Sequence, residues 1–600
     1  MVGKLFQDEL NWLKDSGKGY ARRNPRLEKY LGESSTDPDV ERLIQGFAWM
    51  TARVRECVED ELTELTEPLI RMLGASFLRP FPPVTIMKFS PVQKSITERQ
   101  MIPRGTYYEA KLPDGSQCTF RTAADCAVYP LELGHLRLER SRDRSVLELQ
   151  FATLSGLPLS KIKLDALRLQ FGGEHDVAWM LYLWTNRYVK RAKIRVQRNE
   201  PVPDARPTED VRTIDVPLEQ IRPGGFATNE ALLDLDGPAH FEGYRLLREF
   251  YTFQDKFHCV DITGLGRLLR NVEASTFSLV IEYDRPLPAD YKIEQDSIQL
   301  YCVPAINLFP AKAMPLSIGD ETNDHPVTAL SETRRRYEIF DITGVTGADS
   351  TGDPRDHTGA RRYQKYESLT HKVELSSARQ AVYYKHQERT ELGEPGWRHS
   401  VAFVGHDGKP AVPKDSSIAI DLACFDAEAG ELPIGAEWER SSKSPSFATF
   451  TNITVPTAPV YPPIDGSLNW RLISNLSLNY ISLKDPKAFA SIISVYDYQA
   501  FSDRQAERAM EKRAAGIVDL KTTPIDRLFS GRPVRGLKST MRMRESNFAN
   551  DGEMFLFASI IAEFIVLYAT TNSFVQLEVV GVEKNQTWMW PAKTGLQPLI

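Results

Sequence analysis

A long apolar stripe over residues 40–58 constrains the fold of this chain more than any other feature. Asp37 followed by Pro38 predicts a helix start, because the Asp side chain accepts from free N–H groups and Pro lacks an N–H. From there, apolar residues recur at three- and four-residue steps, so one helix face needs a cover. The face consists of Val40, Leu43, Ile44, Phe47, Met50, Val54 and Val58.

Helical patterns fill the N-terminal eighty or so residues. A first helix is indicated by the apolar spacing between Leu5 and Leu13. A separate short helix is predicted over residues 67–73, with Gly74 ending it. Pro80, Pro82 and Pro83 then force an extended exit, because proline cannot continue a helix. We therefore predict a helical region over residues 1–83.

The pattern beyond residue 83 changes to short alternating or apolar runs separated by turn residues, which favours strands. Scattered helices interrupt these runs, so we predict a multidomain α+β fold with a helical N-terminus followed by mixed, strand-rich domains. A chain of 600 residues exceeds what one core usually organises. The predicted divisions are 84–270, a mixed α+β domain; 271–455, strand-rich with a mobile loop at 344–359; and 456–600, an α+β domain after a proline-rich linker.

Composition and charge exclude several protein classes. A hydrophobic fraction of 42% is that of a folded globular protein. The net charge of −6 gives no general attraction to nucleic acid or to anionic lipid. Six scattered cysteines predict reduced, mostly buried thiols. The apolar run 554–569 is too short to span a bilayer and predicts a core helix, and no signal peptide is indicated.

The sequence contains no phosphate-binding loop, nucleophile elbow or zinc-helix motif. His258 and Cys259 lie in an apolar run and are interpreted as a buried structural pair. His175 and Asp176 follow a glycine-rich turn, which explains them without catalysis. We therefore predict no catalytic, cofactor-binding or metal-ligating residues. Residues far apart in the sequence could still form an active site, which leaves an enzyme acting on the cell wall or on nucleotides as the alternative.

Short sequence blocks, in order along nearly the whole chain, resemble the TssF family of type VI secretion proteins. Each block is weak alone, but their order and coverage make chance agreement implausible. They include DPDVERL at 37–43, IPRGT at 102–106, LREFY at 247–251, CVPAINLF at 302–309, LSLNY at 476–480 and TNSF at 571–574.

The resemblance implies a cytoplasmic structural subunit of a baseplate wedge, associated with an inner-membrane-docked secretion apparatus and related to phage tail baseplates. It implies assembly of two TssF copies with one TssG, and contacts with TssK, TssE and the VgrG spike. No nucleic acid and no direct membrane insertion are expected. The basic run at 187–198 is predicted to be a solvated strand or helix face.

Two packing hypotheses remain open for the apolar stripe over residues 40–58. In the first, it packs in a helical bundle with the second TssF copy and TssG, which makes its seven residues candidate interface residues. In the second, a self-contained three-helix domain covers it.

Overall fold

The fold is taken from a computed structural model, and the residues that the structure describes are the following. They are 2–23, 38–197, 211–233, 242–318, 324–331, 337–348, 361–366, 382–390, 396–413, 415, 417–439, 444–463, 466–476, 485–529, 532–570 and 572–595.

Helices and strands alternate irregularly after an all-helical start. The helices are α1 Val2–Arg23, α2 Pro38–Gly74, α3 Leu159–Ile162, α4 His175–Arg187, α5 Glu242–Thr252, α6 Leu265–Leu268, α7 Gly466–Leu476, α8 Pro486–Ser494, α9 Arg504–Ala515 and α10 Asp551–Phe564. The strands are β1 Val84–Pro91, β2 Gln100–Ile102, β3 Tyr107–Lys111, β4 Gln117–Thr122, β5 Cys126–Val128, β6 Leu131–Arg140, β7 Ser145–Thr153, β8 Ala166–Phe171, β9 Val189–Gln197, β10 Val211–Val216, β11 Ile221–Pro223, β12 Cys259–Thr263, β13 Thr276–Tyr283, β14 Ile298–Leu300, β15 Cys302–Ile306, β16 Phe309–Lys312, β17 Leu316–Ser317, β18 Asp324–Val327, β19 Tyr337–Ala348, β20 Arg361–Lys365, β21 Val382–Thr390, β22 Trp397–Gly405, β23 Ser417–Asp426, β24 Trp438–Glu439, β25 Ala448–Asn452, β26 Ile517–Phe529, β27 Arg532–Met543, β28 Phe574–Gly581, β29 Thr587–Met589 and β30 Lys593–Thr594. The predicted α+β class with a helical N-terminus is confirmed.

The N-terminal helical region ends before the proline-rich exit. Helix α2 stops at Gly74, a short 3-10 turn covers Ala75–Leu78, and β1 begins directly after Pro83. The prediction of a separate helix over 67–73 is wrong, because α2 runs unbroken from Pro38 to Gly74.

Most sheets pack around one large hydrophobic core. Among the described strands, one sheet has the order β24-β3-β4-β15-β1-β25, a second β10-β9-β13-β7-β6, and a third β11-β12-β8-β14. The small pair β2-β5 adjoins them, and β26-β27-β28-β29 form the C-terminal sheet, with β30 on β28. Buried residues from Ile70 to Trp588 belong to this core. The C-terminal sheet therefore shares its interior with the middle of the chain.

A second, smaller core lies within residues 313–424. Its sheet has the order β16-β23-β19-β20-β21-β22-β18 among the described strands, with β17 also on β23. The predicted loop at 344–359 starts too early, because Gly344 to Ala348 pair with Asp421 to Ser417 inside β19 and β23. Residues 349–359 lie outside the described part of the chain.

Two polar side chains connect the cores. The Asn307 amide donates to the Thr119 carbonyl over 2.7 Å and accepts from the Asp426 backbone N–H over 2.6 Å. The Arg79 guanidinium lies 2.7 Å from the Asp341 carboxylate and above the Phe340 ring. Because these contacts are specific and partly buried, they fix the smaller sheet against the larger core.

Helix α10 is the core helix that the apolar run 554–569 predicted. Residues from Gly552 to Ala562 are buried along every face of the helix. Helix α10 packs on α4 and α5, and Phe557 contacts Phe250 and Phe548. A helix that is apolar all round requires cover on all sides. No helix among the described residues is long and apolar enough to cross a membrane.

The proline-rich stretch predicted as a linker runs along the edge of β1. The Thr457 N–H donates to the Val84 carbonyl over 3.0 Å, and the Thr457 hydroxyl accepts from the Val84 N–H over 3.1 Å. Val460 forms a bridge with Phe81. The sequence SLNYISL also predicts a strand over residues 477–483, which lie outside the described residues. The divisions at 83, 270 and 455 stay a prediction; β13, just after residue 270, pairs with β7 and β9.

Candidate assembly surface

Helices α1 and α2 form an antiparallel hairpin with a seam of small side chains. Ala48 and Ala52 of α2 are fully buried, and Leu10 of α1 is nearly so. Salt bridges of 3.0 Å join Lys14 to Glu41 and Glu9 to Arg55 at the sides of the seam. Since alanine has only a methyl side chain, the two helix backbones can approach closely along this seam.

The large apolar side chains of α2 point the other way. At about 100° per residue, Leu43, Phe47, Met50 and Val54 fall within an arc of roughly 60°, while Ala48 and Ala52 lie near the opposite side. The four large side chains are accordingly exposed: Leu43 is 63%, Phe47 62%, Met50 59% and Val54 63% exposed. We call these four residues the α2 stripe.

The remaining sequence candidates border the α2 stripe. Val40 and Ile44 are half-buried, as expected from helix angles between the exposed arc and the alanine seam. The side chain of Val58 lies outside the described residues. Within the described chain, α1 covers the alanine side of α2 and leaves the four stripe residues facing solvent. The structure thus brings Leu43, Phe47, Met50 and Val54 together on one open surface.

Most of the basic run at 187–198 lies on strand β9, while Arg187 ends α4 and residue 198 lies outside the described residues. Arg191 and Arg195 are exposed, in agreement with the predicted solvated strand or helix face. Glu282 lies opposite Arg191 on β13, and Glu148 faces Val280 on the next strand pair. Arg144 reaches Glu282 over 3.0 Å. Because carboxylates are interleaved with the cations, this face lacks the continuous positive charge that a phosphate backbone needs.

A buried ion network holds α5 in the large core. Glu249 accepts from the Leu232 backbone N–H over 2.8 Å and from Arg245 over 2.7 Å, and it forms an ion pair with Lys256. Burial alone would raise the pKa of the Glu249 carboxyl, but Arg245 and Lys256 outweigh burial and lower it. The group is therefore a paired structural carboxylate.

Two clusters of the described residues have metal-ligating atoms close together: His175 with Asp255 and His258, and His386 with Glu388 and His399. In the second cluster, the two imidazoles are hydrogen-bonded directly, with 2.9 Å from His386 Nε2 to His399 Nδ1. Two ligand atoms of a tetrahedral zinc lie about 3.4 Å apart, so the two imidazole nitrogens are too close together to bind one zinc ion. Burial lowers the pKa of His399 to about 4, so the His399 ring is neutral at pH 7.

Local sequence patterns could not reveal the first cluster. His175 begins α4, whereas Asp255 and His258 lie in and just after the 3-10 turn Gln254–Phe257. The buried interpretation of His258 and Cys259 is confirmed, but the proximity of His175 depends on how α4 packs. The five described cysteines, all reduced and buried as predicted, are Cys118, Cys126, Cys259, Cys302 and Cys424.

Comparisons with known proteins agree along the whole chain. The family model for the type VI secretion system protein TssF matches residues 2–597. The type VI secretion system component TssF1 of Pseudomonas aeruginosa is 26% identical, with 99% of each chain covered. A chain in the cryo-electron microscopy structure of the TssK-TssF-TssG baseplate subcomplex is 25% identical with a TM-score of 0.71, covering 92% of this chain and 99% of that chain. A chain in a type VI baseplate complex is 22% identical with a TM-score of 0.60 and full coverage of both chains, which shows a shared fold. This chain therefore belongs to the TssF family of the type VI secretion system.

Proposed function

We propose that this protein is a structural subunit of the type VI baseplate wedge. Two copies assemble with one TssG and support sheath and tube assembly around the spike. Family membership supports this function, as does likeness to a chain solved together with TssK and TssG. The described side chains serve packing and assembly, and the chain acts without catalysis.

The α2 stripe is the surface on which this proposal depends. Four large apolar side chains, each about 60% exposed, lie on one face of a 37-residue helix. Contiguous exposed apolar surface marks interaction sites in folded proteins. Apolar side chains at three- and four-residue steps suit a partner helix. The stripe, with Val40, Ile44 and Val58 at its borders, packs in a helical bundle formed with TssG and the second TssF copy.

Further contacts follow from the same assignment. TssK, TssE and the VgrG spike are the other partners in the assembled baseplate. The protein acts in the cytoplasm, at a secretion apparatus docked on the inner membrane. The interleaved charges of β9 support a function without nucleic acid.

Co-purification with TssG tests the stripe. In Phe47→Glu/Val54→Glu, both substitutions fall on exposed positions, so the fold alone should lose little stability, about 0.5 kcal/mol per site. Burying a Phe or Val in an interface contributes roughly 1.5–3 kcal/mol each. The double variant should therefore bind TssG at least about a hundredfold more weakly.

Gln7→Glu/Gln45→Glu is the matched control, because both residues are exposed and the charge change is the same. The control should co-purify with TssG normally and melt like the parent. Normal co-purification of Phe47→Glu/Val54→Glu would refute the bundle. Loss of soluble protein for that variant alone would instead favour packing of the stripe inside the single chain.

A further inference from the structure

Three ligating atoms from two separate parts of the chain meet beside the start of α4. Asp255 Oδ1 lies 3.2 Å from His175 Nδ1 and 3.3 Å from His258 Nδ1. Zinc binds nitrogen and carboxylate oxygen at about 2.0–2.2 Å, so two ligands of a tetrahedral zinc lie about 3.4 Å apart. Both observed distances are close to this ligand–ligand distance.

His258 supplies an independent observation. Its side chain is 1% exposed, and within the described residues neither ring nitrogen makes a directional hydrogen bond. Buried polar nitrogens are nearly always satisfied. Although Nδ1 lies near Asp255 Oδ1, its N–H direction misses that oxygen. This orientation is expected when two ligand atoms point at a shared centre and not at each other.

Access and charge suit a cation at this centre. His175 is 67% exposed and Asp255 17% exposed, so solvent reaches the cluster and can supply a fourth ligand. The positive end of α4 disfavours a cation, but Asp176 in the first helical turn offsets it. Asp255 supplies a carboxylate oxygen, a ligand type that zinc binds.

We infer that His175, Asp255 and His258 form a binding site for a zinc-class divalent ion, with water as the fourth ligand. The site departs from the sequence-based expectation of no metal ligands. The ion connects the first residue of α4 to the segment between α5 and β12. It therefore fixes α4 against the β8–β12 sheet region, and this role is independent of the proposed assembly.

Zinc titration of the chelator-stripped full chain, without a histidine tag, tests the site. Calorimetry should detect one saturable equivalent of Zn²⁺, whereas Mg²⁺, which prefers oxygen ligands, should not bind there. His175→Ala removes one ligand at an exposed position, so the protein should fold normally and bind Zn²⁺ at least about tenfold more weakly. Zinc should raise the melting temperature of the parent more than that of His175→Ala.

His135→Ala is the matched control, because His135 is also exposed but lies on β6 away from the cluster. It should bind Zn²⁺ like the parent. Substitution of Co²⁺ should give the intense visible absorption of a four-coordinate ion, and His175→Ala should lose it. Equal zinc affinity of the parent and His175→Ala, or no saturable equivalent in the parent, would overturn the proposal.

Discussion

The indole Nε1 of Trp588 donates to the hydroxyl of Tyr188 over 3.0 Å, joining residues 400 positions apart in the sequence. The Tyr188 hydroxyl in turn donates to Gln586 Oε1 over 3.2 Å. Both aromatic residues are buried. The last strands of the chain are therefore part of the same interior as α4, and the middle of the chain cannot pack fully without them.

Removing the Tyr188 hydroxyl should destabilise the large core. Tyr188→Phe keeps the ring but leaves the buried Trp588 N–H without its acceptor, which costs about 1–3 kcal/mol. Urea denaturation followed by tryptophan fluorescence measures the change. In a Trp588→Phe background the same substitution should cost distinctly less. Equal costs in both backgrounds would mean that this hydrogen bond contributes nothing.

The crossing of α10 and α4 should tolerate no side chain at Gly552. A Cβ there would lie 2.9 Å from the Met180 backbone nitrogen and closer still to the Trp179 carbonyl. Since backbone atoms cannot rotate away, Gly552→Ala must separate the helices, at a cost of about 1–3 kcal/mol or more. Gly46→Ala is the control: its Cβ meets nothing within 4 Å among the described residues, and it should stabilise α2 by up to about 1 kcal/mol. Similar melting temperatures for the two variants would contradict this packing.

Local signals in the sequence predicted much of the fold. Asp485 before Pro486 predicts a helix start by the same rule as Asp37 and Pro38, and the Asp485 carboxylate does accept from the Lys487 N–H over 3.0 Å. Such signals act within a few residues, so they can be found without knowing the tertiary structure. The alternating or apolar runs predicted as strands beyond residue 83 include the segments that form β1 and β7.

Long-range packing explains what the sequence did not predict. The pattern defined the apolar face of α2, but not that α1 packs on Ala48 and Ala52 and leaves Phe47 open. Likewise, His175 meets Asp255 only because α4 packs beside the turn after α5. Contacts between distant segments depend on the whole core, and periodicity carries no information about them.

The carboxylate of Glu249 should be essential to the buried ion network. Glu249→Gln removes the charge that faces Arg245 and Lys256, and breaking a buried ion pair costs about 3–5 kcal/mol. Glu219→Gln is the control, because Glu219 is exposed and the chemical change is identical. Thermal melting of both variants measures the difference. A Glu249→Gln protein as stable as Glu219→Gln would show that the network contributes no net stability.

A double substitution separates the charge from the packing. Glu249→Met/Lys256→Met removes both partners of one ion pair, while Arg245 keeps its contact with Glu242 at 2.6 Å. Because apolar replacements of a buried pair are often neutral, the double variant should recover much of the stability that Glu249→Gln loses. A double variant less stable than Glu249→Gln would exclude this explanation.

Asp497 carries a charge at neutral pH that the fold disfavours. It lies between α8 and α9 and is 3% exposed, with Oδ1 accepting from the Ala500 N–H over 3.3 Å. Burial raises the pKa of this carboxyl to about 6, against about 3.9 in an unfolded chain. At a pH between these two pKa values, Asp497 is more often protonated in the folded state than in the unfolded state. The contribution of Asp497 to stability therefore falls as pH rises from about 4 to about 6.

Asp497→Asn should stabilise the protein at pH 7 and lose its effect in acid. Asn keeps the acceptor for Ala500 and removes the buried charge, so the gain should approach about 3 kcal/mol above pH 6. Near pH 4 both proteins carry a neutral side chain, and the difference should vanish. Urea denaturation at four pH values between 4 and 7.5 measures this trend. Asp503→Asn, at an exposed helix N-cap, is the control and should change stability by less than about 0.5 kcal/mol throughout. A stability difference between parent and Asp497→Asn that stays constant across the pH range would show that Asp497 does not titrate in the fold.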